Sequence, residues 1–163
     1  MSVADRAPGM SDVSIGLADS HDIAAVTDAW WALVSEQSEH DDRMVHGATS
    51  KRRANHFIRR SVIDGRLLVA RFDSMIVGIA TFSEDHHFLD DTGRIWIIAD
   101  VWVAPDMRRR GIANRLVKAA ERACLELGAR EIRLQVYASN EAAQLLYETM
   151  GYGHLMQTLR KRF

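Results

Sequence analysis

The hydrophobic pattern along the chain switches between a period of two and a period near 3.6, and the switches mark the elements. Residues 13–17 form a short apolar run that reads as a first strand. Asp19 and Ser20 follow as N-cap candidates. Ile23, Val26, Trp30, Leu33 and Val34 then recur at helical spacing, and the pattern fades into the acidic stretch 36–43. A second helix is predicted over 49–64, with Phe57, Ile58 and Val62 on one side, arginines on the other, and Gly65 as its stop. Residues 67–72 and 76–82 flank Asp73-Ser74 and read as a hairpin. A polar loop over 83–93 leads to a strand over 94–103, dense in Ile, Val and Trp and ended by Pro105.

An amphipathic helix is predicted over 111–127, with the stripe Ile112, Leu116, Ala119, Ala120, Ala123 and Leu127, and Gly128 in the C′ place. A strand over 131–137, a helix over 140–150 closed by Gly151, and a last strand over 153–160 complete the pattern. The order β-α-α-β-β-β-α-β-α-β predicts an α/β (α+β mixed) fold. Its centre is a mixed, mostly antiparallel sheet with helices on both faces.

Length and composition narrow this picture. With 163 residues and 47% hydrophobic content, one domain with a sizeable core is expected. We assign it to residues 13–163, after a disordered stretch over 1–12 that carries Pro8, Gly9 and scattered charge. The net charge of −1 argues against a nucleic-acid or membrane partner, despite Arg52, Arg53, Arg59 and Arg60 on one helix. No apolar run approaches the ~18 residues of a membrane span, and residues 1–14 lack a signal-peptide core. One cysteine, Cys124, permits no internal disulfide, and core packing is its expected role. A cytoplasmic protein is expected.

Candidate chemistry centres on residues 95–114. Arg108, Arg109 and Arg110 stand at a helix N-terminus, where the macrodipole disfavours cations by roughly 0.3–1 kcal/mol each. A bound anion would reverse that sign and take up the first-turn N–H groups. Gly111 and Ala113 are small enough for phosphate oxygens to approach the backbone. A basic surface loop is the plain alternative. Neither the P-loop nor the Rossmann glycine pattern is present.

Asp100-Val101-Trp102-Val103-Ala104-Pro105 followed by Arg108-x-x-Gly111-x-Ala113 resembles the acetyl-CoA signature of the GCN5-related N-acetyltransferases. Asn140-x-x-Ala143-x-x-Leu146-Tyr147-x-x-x-Gly151-Tyr152 is similar to that family's second motif, in its order and at its spacing. The resemblance implies an enzyme that moves an acetyl group from acetyl-CoA to a primary amine of a small molecule or peptide. It implies that Val101, Trp102 and Val103 pair with the pantetheine arm like an added strand. The backbone of Arg109, Arg110, Gly111, Ile112, Ala113 and Asn114 would hold the pyrophosphate. Arg108 and its neighbours would add charge, and Asn140 would touch the pantetheine or adenine side. Tyr147 would lie by the thioester sulfur. Homodimers are common among the proteins it resembles. The alternative is a non-catalytic acyl-CoA-binding sensor or interaction module.

Proton accounting asks for a base. A primary amine with a pKa near 10.4 is only ~1 part in 2,500 neutral at pH 7, and only the neutral form attacks. Asp100 is the one acid on the strand before the turn, and Glu84 is the next candidate, with His86 and His87 behind it. Some relatives carry Glu where this chain has Ala99, so the base is left open. Asp100 reads equally as a strand-end carboxylate, and Tyr147 as a core tyrosine on a stripe with Ala143 and Met150. His86, His87, Asp90 and Asp91 read as a solvated loop, and no metal is expected. Trp30 and Trp31 either line an acceptor pocket or simply pack. The acid-rich segments 36–42 and 84–91 would attract a cationic acceptor, or are ordinary solvated loops.

Overall fold

The computed structural model describes residues 12–41, 48–85 and 94–162. Its elements run β1 (Val13–Leu17), α1 (Ile23–Gln37), α2 (Ala48–Ile63), β2 (Leu67–Phe72), β3 (Met75–Glu84), β4 (Ile95–Val103), α3 (Ile112–Glu126), β5 (Glu131–Leu134) and α4 (Glu141–Thr149). The five strands lie side by side in chain order. β1, β2, β3 and β4 pair antiparallel in turn, and β5 joins β4 in parallel. The β2–β3 hairpin turns on Asp73 (φ 46°) and Ser74 (φ 67°), both left-handed, as a two-residue type I′ turn requires.

The sheet separates two cores. On one face Val26, Ala29 and Ile58 of the α1–α2 pair bury Leu67, Val69 and Ile79. On the other, Ile112, Leu116, Val117, Ala120 and Cys124 of α3 cover Ala70, Ala80, Phe82, Trp96 and Ile98. Tyr147 and Met150 of α4, and Tyr152 beyond it, pack against that second core. Each large apolar side chain so buried contributes roughly 1.5–3 kcal/mol. Gly78 lets α3 settle onto the sheet, since a Cβ there would stand 2.9 Å from Trp102 O and 3.0 Å from Leu116 Cδ1. Cys124 is fully buried, and burial pushes its thiol up to about 11, in keeping with a packing role.

Two sequence expectations need correction. Residues 153–162 adopt no regular element, so the expected last strand over 153–160 is absent. β5 ends at Leu134, short of the expected 137, and the tail is tied elsewhere, by Arg160 Nη1 to Asp41 Oδ1 at 3.2 Å. The N-terminal stretch falls, but for Asp12, outside the described residues, as do Asp42 and residues 86–93 with His86, His87, Asp90 and Asp91.

Candidate active site at the β4 edge

The site is made by an irregularity in β4. Ile79 of β3 stands opposite Trp102, but Thr81 stands opposite Ala99, so β4 carries one surplus residue between them. Asp100 takes a left-handed φ of 51° at this bulge. In an unbroken strand Asp100 would share the face of Ile98, inside the α3 core. The bulge turns it instead to the face of Ile79 and Thr81. There Thr81 Oγ1 donates to Asp100 Oδ2 at 2.6 Å. The Trp30 indole of α1 adjoins the same carboxylate, with its buried N–H short of full hydrogen-bond geometry. Burial raises the Asp100 carboxyl above its ordinary value, and these two donors offset part of that rise.

Beyond the bulge β4 leaves its parallel neighbour. The β4–β5 register runs from Ile95 opposite Glu131 to Ile98 opposite Leu134 and stops. Ala104 N–H donates to Val77 O at 2.9 Å on the β3 side. Backbone groups alternate in direction along a strand, so those of Val101 and Val103 turn the other way, into the gap that β5 vacates. The gap is therefore lined by strand edge in the middle of a sheet. The Val103 carbonyl is already engaged there by Arg108 Nε at 2.9 Å.

The edge runs through a short 3-10 turn, Pro105–Met107, into the start of α3. Arg109 (φ 61°) and Gly111 (φ 74°) are both left-handed. For an arginine this conformation is strained by ~1–2 kcal/mol. Such alternation aims successive N–H groups into one concavity, which suits an anion. α3 begins without a side-chain cap and without an acid in its first turn. Its first helical bond is Arg115 N–H to Gly111 O, so Ile112, Ala113 and Asn114 keep their N–H groups outside the helix ladder.

The three arginines differ. Arg108 donates from Nη2 to Glu36 of α1, and Trp102 Nε1 donates to the same carboxylate oxygen at 3.1 Å. Arg110 Nη2 reaches Asp106 O at 3.2 Å, while Arg109 is exposed. Arg108 is thus held by protein groups, a role the sequence expectation did not contain. The Trp102 side chain packs on the α1 face and its backbone lies opposite Ile79 of β3, so the open edge is formed by Val101 and Val103 on either side of it. A cleft of about 580 Å³ at the β2–β3 turn meets this region only at Trp102.

Asn140 is the N-cap of α4, its Oδ1 accepting from Ala143 N–H at 3.2 Å. Tyr147 is half-buried and edge-on to Tyr152, with ring centres 6.1 Å apart, and burial raises its phenol above the ordinary value. Tyr152 in turn donates to Glu121 Oε1 at 2.8 Å. Glu84 ends β3 opposite Trp96, four residues back along β4 from Asp100, or roughly 13 Å. The register thus separates the two carboxylates. Thr81 gave no signal in the sequence, and Glu36 stood out only within the acid-rich segment 36–42, because each meets the site through pairing distant along the chain.

The chain matches the Acetyltransferase (GNAT) family over residues 27–152. It is 26% identical over 86 residues to the aminoglycoside N(6')-acetyltransferase type 1 of Salmonella typhimurium, covering 52% of this chain and 59% of that protein. It is 35% identical over 60 residues to the thialysine N-epsilon-acetyltransferase of Sus scrofa, covering 37% of this chain and 35% of that one. These matches thus span less than two thirds of each relative. AAC(6')-Iy, in complex with the bisubstrate analog CoA-S-monomethyl-acetylneamine, superposes with a TM-score of 0.69 at 17% identity, over 93% of this chain and 97% of its own. The yncA protein of Salmonella typhimurium with its cofactor acetyl-CoA gives 0.71 at 19%, over 87% and 80%. At such identities the superpositions show the fold, a mixed sheet between two helical layers. With the family match covering most of its length, the chain belongs to the acetyltransferase (GNAT) family.

Proposed function

We propose that the protein transfers an acetyl group from acetyl-CoA to a primary amine of a small molecule or peptide. The observation that carries this reading is the β4 edge. Val101 and Val103 present backbone groups to an interior gap that leads straight into an uncapped helix start. An extended, amide-bearing arm fits the gap, and a pyrophosphate fits the N–H groups from Arg109 to Asn114. Arg109 and Arg110 add charge, while Arg108 braces the edge. The relatives that act on aminoglycosides and on thialysine support an amine acceptor.

In this reading Asp100 takes the proton that an ammonium must lose, and its raised pKa suits a proton acceptor. The amine nitrogen then bonds to the acetyl carbon while the carbon–sulfur bond breaks, and the second proton that the nitrogen sheds goes to the departing thiolate, directly or through solvent. The Val101 N–H serves the oxygen that gains charge. Tyr147 stands on the side of the leaving sulfur. A phenol near pKa 10 is ~1.5 units weaker as an acid than a thiol near 8.5, about 2 kcal/mol uphill. Burial raises Tyr147 further, so it acts by donating a hydrogen bond to the sulfur more than by giving up its proton. Glu84, four residues along β4 from Asp100 by the strand register, is the alternative base, acting directly or through water.

The acid-rich segments 36–42 and 84–91 favour a cationic acceptor, with Glu36 and Asp41 among them shared with Arg108 and Arg160. The protein works as a cytoplasmic homodimer in this reading, with exposed Leu155, Met156 and Leu159 offering apolar surface to a second copy. Two assays test the central claim: thiol release from acetyl-CoA over a panel of amines, and thermal shift with CoA, each beside Gly111→Glu. Stabilisation by CoA with turnover on an amine is expected. No stabilisation overturns the site, and stabilisation without any turnover leaves a binding protein.

A further inference from the structure

The Asp100 carboxylate has one described oxygen–hydrogen partner, and that partner lies on another strand. Thr81 is only 4% exposed, so its hydroxyl has little access to water. It donates to Asp100 Oδ2, across the step where the β3–β4 register slips. A valine would fill the same space without the donor. The Trp30 N–H nearby is buried and lacks a partner in good geometry, so the surroundings supply donors and little else.

We propose that Thr81 is a positioning residue for the acetyl-transfer step: its hydroxyl fixes the rotamer of Asp100 so that Oδ1 stays free to receive the proton of the acceptor amine. This rests on the reading of Asp100 as the proton acceptor. At this left-handed backbone position the carboxylate lies beside the Trp30 indole, and its well-formed hydrogen bond is the one from Thr81. Thr81 thus constrains it from the opposite strand. Oδ2 is occupied, so the proton goes to Oδ1 and later returns to solvent. The raised pKa of the carboxyl is compatible with this duty. Thr81 acts in this proposal through Asp100.

The test compares wild type, Thr81→Val, Thr81→Ser, Asp100→Asn and the double variant Thr81→Val/Asp100→Asn, with an amine that the wild type acetylates. Thr81→Val is expected to lower kcat about tenfold, a fraction of the ~10²–10⁴ that a placed base contributes. KM for acetyl-CoA and the CoA-induced thermal shift should not move. Thr81→Ser should recover most of kcat. In the double variant Thr81→Val should add no further loss to Asp100→Asn, because its effect passes through that carboxylate. Equal losses in both backgrounds, or a wild-type kcat in a folded Thr81→Val, would overturn the proposal. A wild type inactive on every amine, or an Asp100→Asn with full activity, would instead sink the functional reading beneath it.

Discussion

Glu36 on α1 accepts from Arg108 of the α3 turn and from the Trp102 indole of β4 through the same carboxylate oxygen. One side chain thus ties the helix over one face of the sheet to the loop that leads to the helix on the other. Both members of the ion pair are about two-fifths exposed, at 41% and 42%, so the pair itself contributes about 1 kcal/mol or less. Its effect is expected in ligand binding. Glu36→Ala should leave the melting temperature within a few degrees of wild type while weakening CoA several-fold by calorimetry, because Arg108 loses its brace beside Val103. Unchanged CoA affinity would show that Arg108 holds the edge unaided.

Gly111 stands at φ 74°, where any side chain is strained. Gly111→Ala should destabilise the fold by about 1 kcal/mol and retain some CoA binding. Gly111→Glu adds a negative charge to the concavity and should abolish the CoA-induced thermal shift. A shift of equal size in both variants would place the phosphates elsewhere.

In the proposed mechanism Asp100 sets function against stability. Its folded pKa is raised, so ionisation disfavours the folded state once the pH passes the ordinary carboxyl value of about 3.9. Asp100→Asn keeps an oxygen to accept from Thr81 and removes the buried charge. The variant should therefore melt above wild type near pH 7, because the unfolded wild type gains an ionisation that the folded state opposes. That gain should shrink as the pH falls through 4 and vanish below about pH 3, where wild type is neutral in both states. Activity should fall by ~10² or more. A melting temperature well below wild type at neutral pH would contradict this account.

Tyr147 should remain protonated throughout the usual assay range, because burial raises its pKa above 10. Tyr147→Phe should therefore lower kcat on the order of 10²-fold without moving either limb of the pH–rate profile below about pH 10. An alkaline limb that disappears in the variant would mean that the phenol ionises earlier than its burial implies.

The periodic elements were legible in the sequence. The α1, α3 and α4 stripes, the Asp73-Ser74 hairpin and the edge-to-helix turn all appear where the spacing puts them, since each is set by neighbours in the chain. The end of the chain misled, because Leu155, Met156 and Leu159 resemble a strand but find no partner strand. The catalytic side was partly hidden. Asp100 was identifiable as the strand's only acid, but its turn toward Thr81 depends on a register slip between two strands. Glu84 was an alternative base in the sequence, and the register sets it opposite Trp96, four residues along β4 from Asp100. Glu36 and Arg108 meet across a separation of 72 residues, which no local pattern reports.

Where β4 parts from β5 after Ile98, the protein opens a strand edge inside its sheet rather than at its flank. Flank edges such as that of β1 can be approached by any extended chain, and proteins must guard them against sticking to one another. The interior edge at Val101 and Val103 is hemmed by β5 and by the two helical layers. A chain seeking to add to the sheet there must pass between those layers, so the edge is guarded by its position inside the sheet and not by charge or proline.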